Sequence, residues 1–208
     1  MYDFYHNKLS ARIFEQDNPT ISQHLTDLRT FSTTNLNLLN DDKLGHKSPD
    51  ASIDYSDQVY PQIVFKTSYS QAHKALKSLA WSYIMESFHS IRCVVGSDLD
   101  YPRKHSPPSP RAHVVRINVW RPLVEIEGKI ENMDVKQEIT DESLGEHNPD
   151  HEIAALCIRD LLEDEMLTFT PPAITECKIF MTSKEMIEIL GAAEHVQESL
   201  LRGTEIAL

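Results

Sequence analysis

The sequence predicts an α/β fold: a mixed sheet of roughly four to six strands, with a parallel pair at its centre and helices on its faces. Residues 61–67 hold a continuous apolar run, which is typical of a strand buried on both faces. From residue 72 to 84 the apolar residues recur at intervals of three and four, the spacing of one helical face. Residues 91–96 form a second apolar run. Strand, helix and strand in this order predict two parallel strands joined by a right-handed crossover.

The length and the pattern of the chain predict one domain with an extension at each end. A chain of 208 residues is short for two full domains. We expect a helical or irregular segment over residues 1–47, the core over 48–170 and a helical extension over 171–208. The core therefore contains every candidate site residue considered below.

Charge and cysteine usage narrow the class of protein. The net charge of −12 differs from the basic surface typical of phosphate-gripping proteins, so a protein partner is favoured and nucleic acid is left open. Cys93, Cys157 and Cys177 are widely spaced, which argues against a disulfide framework or zinc site and for an intracellular location, cytoplasmic or nuclear. No apolar run approaches the ~18 residues of a membrane helix, and no signal peptide is recognisable, so no membrane contact is expected.

Before residue 90 the elements are predicted as follows. Leu25, Leu28 and Phe31 have helical spacing, and residues 32–40 form a strand or a turn-rich connection. Pro61 suits the first position of a strand, because no ladder hydrogen bond is lost there. The helix over residues 71–88 has Ser70 as its N-cap, and four residues of it lie off the apolar stripe and should be exposed: His73, Lys74, Lys77 and Ser78.

Beyond residue 100 the pattern predicts a loop, a strand and an acidic region. Four of the eleven prolines fall between Pro102 and Pro110, which indicates a loop. Residues 114–122 alternate apolar residues with Arg116, Asn118 and Trp120, so the strand should have one exposed or half-exposed face. Residues 125–152 carry ten acidic residues and two lysines, which indicates a solvated strand-and-loop region and a candidate surface for a protein partner.

The end of the chain is predicted to close the core and then form a helix. Residues 153–162 are apolar enough for a short strand or helix on the core. Thr182 and Glu185 have the spacing of a capping box, which predicts a helix that begins there and ends near Gly203. This helix docks on the core or binds a partner.

Several kinds of active site are excluded by missing patterns. The chain has no G-x-S-x-G nucleophile elbow, no phosphate-binding loop and no dinucleotide fingerprint. His147 and His151 are four residues apart, but Pro149 between them argues against a helical metal pair. Trp81 is expected on the helix, in the core or partly exposed, and Trp120 is expected to pack, with base stacking as the alternative.

The segment around Asp50 resembles a metal-dependent nuclease site. The motifs Ser48-Pro49-Asp50, Tyr60-Pro61-Gln62-Ile63-Val64-Phe65, Tyr69-Ser70-Gln71, Ile91-Arg92-Cys93-Val94-Val95-Gly96-Ser97-Asp98 and Val119-Trp120-Arg121-Pro122 occur in order. They resemble a family of uncharacterised fungal proteins that is similar to the PD-(D/E)XK nuclease superfamily, over about residues 48 to 165. The resemblance implies a restriction-endonuclease-like fold. It also implies an aspartate and a second acid on adjacent strands that bind Mg²⁺, with a lysine beside them.

The resemblance assigns roles to three residues of this chain. Asp50 matches the aspartate that binds the metal, Lys66 stands where relatives carry a glutamate, and Ser68 stands where an active member has its lysine. A lysine at a ligand position brings a positive charge into the cation site and opposes metal binding, and it can pair with Asp50 instead. The chain is therefore predicted to be catalytically inactive and to need no cofactor.

Two alternatives stay open. One is a non-enzymatic protein-interaction module with the same fold. The other is a Mg²⁺-dependent DNA endonuclease in which a catalytic residue has migrated. In that case Lys74 or Lys77 replaces the missing lysine, and Glu86 supplies the second carboxylate.

Overall fold

A six-stranded mixed sheet forms the centre of the protein. The computed structural model describes residues 28–32, 35–40, 43–55, 58–69, 73–100, 114–127, 130–144, 148–162, 164–176 and 178–185. The strands lie in the order β1-β4-β5-β6-β7-β8. Their bounds are β1 Leu28–Ser32, β4 Ala51–Tyr55, β5 Ile63–Tyr69, β6 Cys93–Asp100, β7 Val114–Glu127 and β8 Ile130–Leu144.

Two small antiparallel sheets and several short helices complete the described part of the chain. One sheet pairs β2 (Leu36–Asn40) with β3 (Lys43–Lys47), and the other pairs β9 (Glu152–Cys157) with β10 (Lys178–Thr182). The helices are α1 (His73–Glu86), α2 (Asp164–Phe169) and α3 (Pro172–Thr175), with a 3-10 helix at Ile158–Leu161.

The predicted strand-helix-strand unit is confirmed. Strands β5 and β6 are parallel, with Ile63 opposite Cys93 and Ser68 opposite Asp98, and α1 connects them. The other neighbouring pairs of the six-stranded sheet are antiparallel. The class is therefore mixed α/β, as predicted, with a single parallel pair at the centre of the described sheet.

Helix α1 packs on one face of the sheet and forms a hydrophobic core with it. Four of its residues are buried against β2, β5, β6 and β7. The set is Leu76, Ala80, Tyr83 and Ile84. Lys77 and Ser78 are exposed as predicted, whereas Ala75, which falls on the predicted apolar stripe, is exposed. Trp81, for which burial in the core and partial exposure were both predicted, is partly exposed.

Strand β7 is buried on both faces from Ile117 to Arg121, which corrects the prediction of one exposed or half-exposed face. Asn118 and Trp120 are as buried as the apolar residues between and beside them. Their face lies under α1, and Trp120 belongs to the core cluster there, so it packs and offers no stacking surface. Gly96 on β6 makes room for this indole: a Cβ at that position would lie 2.7 Å from Cζ3 of Trp120. The close approach explains the glycine in the middle of a buried strand.

We expect Gly96→Ala to lower the free energy of unfolding by about 1–3 kcal/mol, because the added methyl group forces the buried indole to move. The measurement is urea unfolding followed by tryptophan fluorescence. The matched control is Gly45→Ala on β3, where the nearest atom to an added Cβ, the carbonyl oxygen of Leu38, is 3.8 Å away. Equal midpoints for the two variants would contradict this account of the packing.

The segment before residue 48 contributes strands to the sheet and to the core. Leu28 and Phe31, whose spacing predicted a helix, lie on β1, which pairs with β4 at the sheet edge. Of the two alternatives for residues 32–40, a strand or a turn-rich connection, the structure shows the strand β2, whose Leu36 and Leu38 are buried in the core under α1. The domain boundary at residue 47 stays a prediction.

A buried ion pair holds the second layer on the other face of the sheet. The Nε and Nη2 atoms of Arg121 on β7 donate to the two carboxylate oxygens of Asp160, at 2.8 and 2.6 Å. Asp160 lies in the 3-10 helix, and its carboxylate also accepts a hydrogen bond from the backbone N–H of Cys157. Burial lowers the pKa of Arg121, but the hydrogen bond to Asp160 and the nearby charges raise it overall. Arg121 is therefore permanently charged.

We expect Asp160→Leu or Arg121→Met alone to cost about 3–5 kcal/mol of unfolding free energy, because each leaves a buried charge without its partner. The double variant should cost clearly less than the sum of the two single changes. Urea unfolding of the four proteins at pH 7 measures this. Arg159→Met is the control for a partly exposed guanidinium, with an expected loss below about 1 kcal/mol. Additive single and double changes would contradict the coupling.

Some predictions fall outside the described residues. They are the N-cap Ser70, the loop at 102–110, the pair His147–His151 as a pair, Cys177 and the body of the last helix. Its beginning is described: the N–H of Glu185 donates to Oγ1 of Thr182 and the N–H of Thr182 to the Glu185 carboxylate, so the predicted capping box is confirmed. Cys93 and Cys157 are buried and form no disulfide. Within the described ranges, no helix is long and apolar enough to cross a membrane.

Candidate functional site

Asp50 and Lys66 lie side by side at the start of the β4–β5 pair. Asp50 directly precedes β4, and its backbone N–H donates to the carbonyl of Phe65 at 3.0 Å. Because Ala51 pairs with Phe65 in an antiparallel register, Asp50 lies opposite Lys66. The resemblance implied an aspartate and a second functional residue on adjacent strands, and the structure brings these two residues together.

The carboxylate of Asp50 is bound on both oxygens by the chain itself. Nζ of Lys66 donates to Oδ1 at 2.8 Å and also to the carbonyl of Ser48 at 3.1 Å. The backbone N–H of Thr67 donates to Oδ2 at 2.6 Å. The ammonium therefore occupies the side of Asp50 on which a bound cation would lie. Positive charge there opposes the approach of a metal ion.

The Asp50–Lys66 pair stabilises the fold only slightly. The two side chains are 42% and 26% exposed, so water screens their attraction. Partly exposed pairs of this kind contribute about 0–1 kcal/mol. The main effect of the pair is therefore that Lys66 occupies the carboxylate of Asp50. Its contribution to stability is minor.

Ser68 and Asp98 extend this polar group along the same face of the sheet. Ser68 is two residues beyond Lys66 on β5, so both side chains point to the α1 side. Its hydroxyl is buried and has no hydrogen-bond partner within the described residues. Asp98 lies opposite Ser68 on β6, is only 3% exposed, and has Arg116 opposite it on β7. A serine hydroxyl next to a buried aspartate cannot supply the positive charge that a lysine would.

Asp98 is the residue that the sequence reasoning missed as a site candidate. It belongs to a quoted motif, but no role was assigned to it. The signal was the alternation of β6: Val94, Gly96 and Asp98 are two residues apart and therefore share one face. Val94 is in the core under α1, which places Asp98 on the side of Asp50 and Lys66.

Tyr83 on α1 is a buried residue whose pKa responds to the charge of Asp50. Its hydroxyl has no hydrogen-bond partner in the described part of the chain. Burial raises the pKa of Tyr83, and the negative charge of Asp50 raises it further. Tyr83 therefore lies on the same side of the sheet as Asp50, whose side chain is 42% exposed.

Of the residues predicted to replace missing catalytic groups, Glu86 is paired with another residue and Lys77 is exposed. Glu86, at the end of α1, is buried and its carboxylate pairs with Nζ of Lys47 at 2.6 Å. Lys77 is exposed to solvent. Lys74 lies in the first turn of α1, and its side chain is outside the described part of the structure. An active site in which Glu86 supplies the second carboxylate would require the Lys47–Glu86 pair to break.

The arrangement around Asp50 does not fit a resident Mg²⁺ ion. Such an ion needs several oxygen ligands with net negative charge. In the described ranges no group of three or more histidine, cysteine, aspartate or glutamate residues is placed to hold a metal. Asp50 has Lys66 as its direct neighbour.

The acidic region includes β8, an exposed strand at the end of the described six-stranded sheet. Asn118 fixes it to the core, because its Oδ1 accepts from Gln137 at 2.7 Å and from the N–H of Asp141 at 3.0 Å. Asp134 and Glu142 are exposed, and Glu142 pairs with His151. The predicted solvated strand is confirmed, and the protein partner stays a prediction.

Asp54 is a second unusual carboxylate on the strand that follows Asp50. Burial raises its pKa from 3.8 to about 6, and Arg29, opposite on β1, partly offsets this. One of its oxygens is buried without a hydrogen-bond partner in the described residues. The ionised side chain therefore opposes folding.

We expect Asp54→Asn to stabilise the protein at pH 7 by about 1 kcal/mol and to have little effect below pH 4. The folded pKa is raised, so the wild type loses stability as the pH rises from 3.8 to about 6. A full shift of two units would be worth about 3 kcal/mol, reduced here because the group is partly exposed.

The measurement for Asp54 is urea unfolding at pH 4, 5, 6 and 7. Glu152→Gln removes an exposed carboxylate from β9 and controls for the smaller negative charge of the chain. A gain from Asp54→Asn that is the same at all four pH values would contradict the raised pKa.

Comparison of this chain with protein-family models, with curated proteins and with solved structures found no significant match. Function is therefore inferred from the geometry of these residues.

Proposed function

We propose that this protein has a PD-(D/E)XK nuclease-like fold whose metal-dependent cleavage has been lost, and that it acts by binding. The observation that supports this most directly is the contact between Nζ of Lys66 and Oδ1 of Asp50, at 2.8 Å. The ammonium lies where a metal-bridging carboxylate would be needed, and it satisfies Asp50 without a metal. An internal cation of this kind replaces the metal ion.

The arrangement of the strands supports the same proposal. An aspartate at the beginning of β4 faces the middle of β5, and a helix then crosses to β6, which is parallel to β5. The nuclease resemblance implies acidic residues on adjacent strands in this way. Lys66 and Ser68 occupy the positions of the second acid and the lysine, and Asp98 leaves one carboxylate near them. The scaffold is retained, and two of its three functional groups are replaced.

We expect calorimetry with Mg²⁺ and Mn²⁺ to detect no saturable binding to the wild type. Lys66→Glu should bind Mn²⁺ with a Kd of about 1 mM or lower, because it removes the repelling ammonium and adds an oxygen ligand. Adding Asp50→Ala should abolish this binding. Lys66→Met, which removes only the charge, should bind more weakly than Lys66→Glu.

The matched control is Lys77→Glu, which makes the same change of charge at an exposed position of α1. Its titration should resemble that of the wild type. Saturable Mg²⁺ or Mn²⁺ binding by the wild type that disappears in Asp50→Ala would overturn the proposal and favour a retained endonuclease. Equal binding by Lys66→Glu and Lys77→Glu would show that the gain depends on overall charge and not on this site.

A further inference from the structure

The face of the sheet opposite α1 contains a cavity of about 380 Å³. It lies between β7, β8, the 3-10 helix and α2, and Arg92 borders it just before β6. Volumes of this size accommodate small-molecule ligands. The candidate nuclease site is on the other face, so this cavity is separate from it.

The cavity is positively charged, although the chain carries a net charge of −12. Four cationic and two anionic side chains line it. The cations are Arg92, Arg121, Lys136 and Arg159, and the anions are Glu138 and Asp160. The lining therefore has two more cations than anions, and Glu176, which lies outside the lining, pairs with Nη1 of Arg159 at 3.1 Å. A positive charge is still left for an anionic ligand. A concave site with one sign of charge also concentrates ligands of the opposite sign.

The two carboxylates are already engaged by two of the arginines. Asp160 accepts two hydrogen bonds from Arg121, and Glu138 contacts Arg121 at 2.5 Å and Arg159 at 3.5 Å. These contacts fix both guanidinium groups in place before any ligand arrives. A preorganised site loses less entropy on binding.

Lys136 is a further cation that the fold places there. It lies on β8 directly opposite Arg121 and is exposed, and it forms no ion pair with the residues that the structure describes. Its ammonium can therefore contact an anion in the cavity without first losing a partner. Arginine and lysine are the residues that proteins use most for phosphate groups.

One side of the cavity is apolar. Pro122, Leu123, Val124 and Leu167 line it, and Leu123 shares the face of β7 that carries Arg121. A ligand with an uncharged organic part beside its anionic group would cover this surface. An inorganic ion alone would leave it in contact with water.

We propose that this cavity binds the phosphate group of a small organic phosphate, with Lys136, Arg92 and Arg159 as the groups that contact the phosphate. Arg121 supplies a fixed positive charge behind them, and Leu123 and Leu167 contact the organic part. The inference does not depend on the nuclease-like assignment, because no residue of the Asp50 site lines the cavity.

The test is calorimetric titration of the full chain with inorganic pyrophosphate at low ionic strength. We expect saturable binding with a Kd of about 1 mM or lower, and at least about a tenfold weaker Kd for Lys136→Glu. Lys136 is exposed, so its replacement leaves the core unchanged. Lys77→Glu, with the same change of charge on the opposite face, should keep the wild-type Kd.

Three outcomes would overturn the proposal. The first is no saturable binding of pyrophosphate by the wild type up to about ten times the expected Kd. The second is the same loss in Lys136→Glu and Lys77→Glu, which would indicate an effect of overall charge. The third is succinate binding as tightly as pyrophosphate, which would identify a general anion site. The Kd values of Lys136→Glu and Lys77→Glu are compared at one ionic strength, so that salt does not contribute to the difference between them.

Discussion

The buried contact between Arg121 and Asp160 is the constraint on which one whole face of this protein depends. Removing two opposite charges from water is costly, and only close, hydrogen-bonded pairing offsets that cost. The pair meets this condition, with two hydrogen bonds and a further one from the N–H of Cys157. It joins β7, the neighbour of the end strand β8, to the segment that follows β9. The shape and charge of the neighbouring cavity follow from it, because both residues line that cavity.

The two faces of the sheet use charge in different ways. Under α1, Lys66 neutralises the carboxylate of Asp50 and leaves no net charge for a cation. On the other face, the carboxylates are too few for the cations, and an excess of positive charge is left. The first pair is partly exposed and adds little stability, yet it decides what the site can bind. The second is buried, contributes to folding and positions its neighbours.

The central strand-helix-strand unit was predictable from the sequence because apolar runs and helical periodicity are local signals. The pairing of Asp50 with Lys66 was also predictable, because the motif places a lysine at a position next to the aspartate and the two charges are opposite. Arg121 was not: a single arginine between Trp120 and Pro122 gives no sign of a partner 39 residues later. The burial of Trp120 depends on Gly96 in another strand. Asp98 becomes a site candidate only because the sheet places it beside Ser68. Such contacts between distant segments have no local pattern.

The acidic hairpin has a consequence beyond any partner. Strand β8 spans 15 residues and lies at the end of the described sheet, with β7 as its neighbour on one side. The other edge of such a strand offers unpaired backbone groups to a second chain, and long edges of this kind promote aggregation. Exposed acidic side chains such as Asp134, Asp141 and Glu142 place negative charge along it, so two copies of the protein that approach edge to edge repel each other. The composition that suggests a binding surface thus also keeps the protein from polymerising through its own sheet.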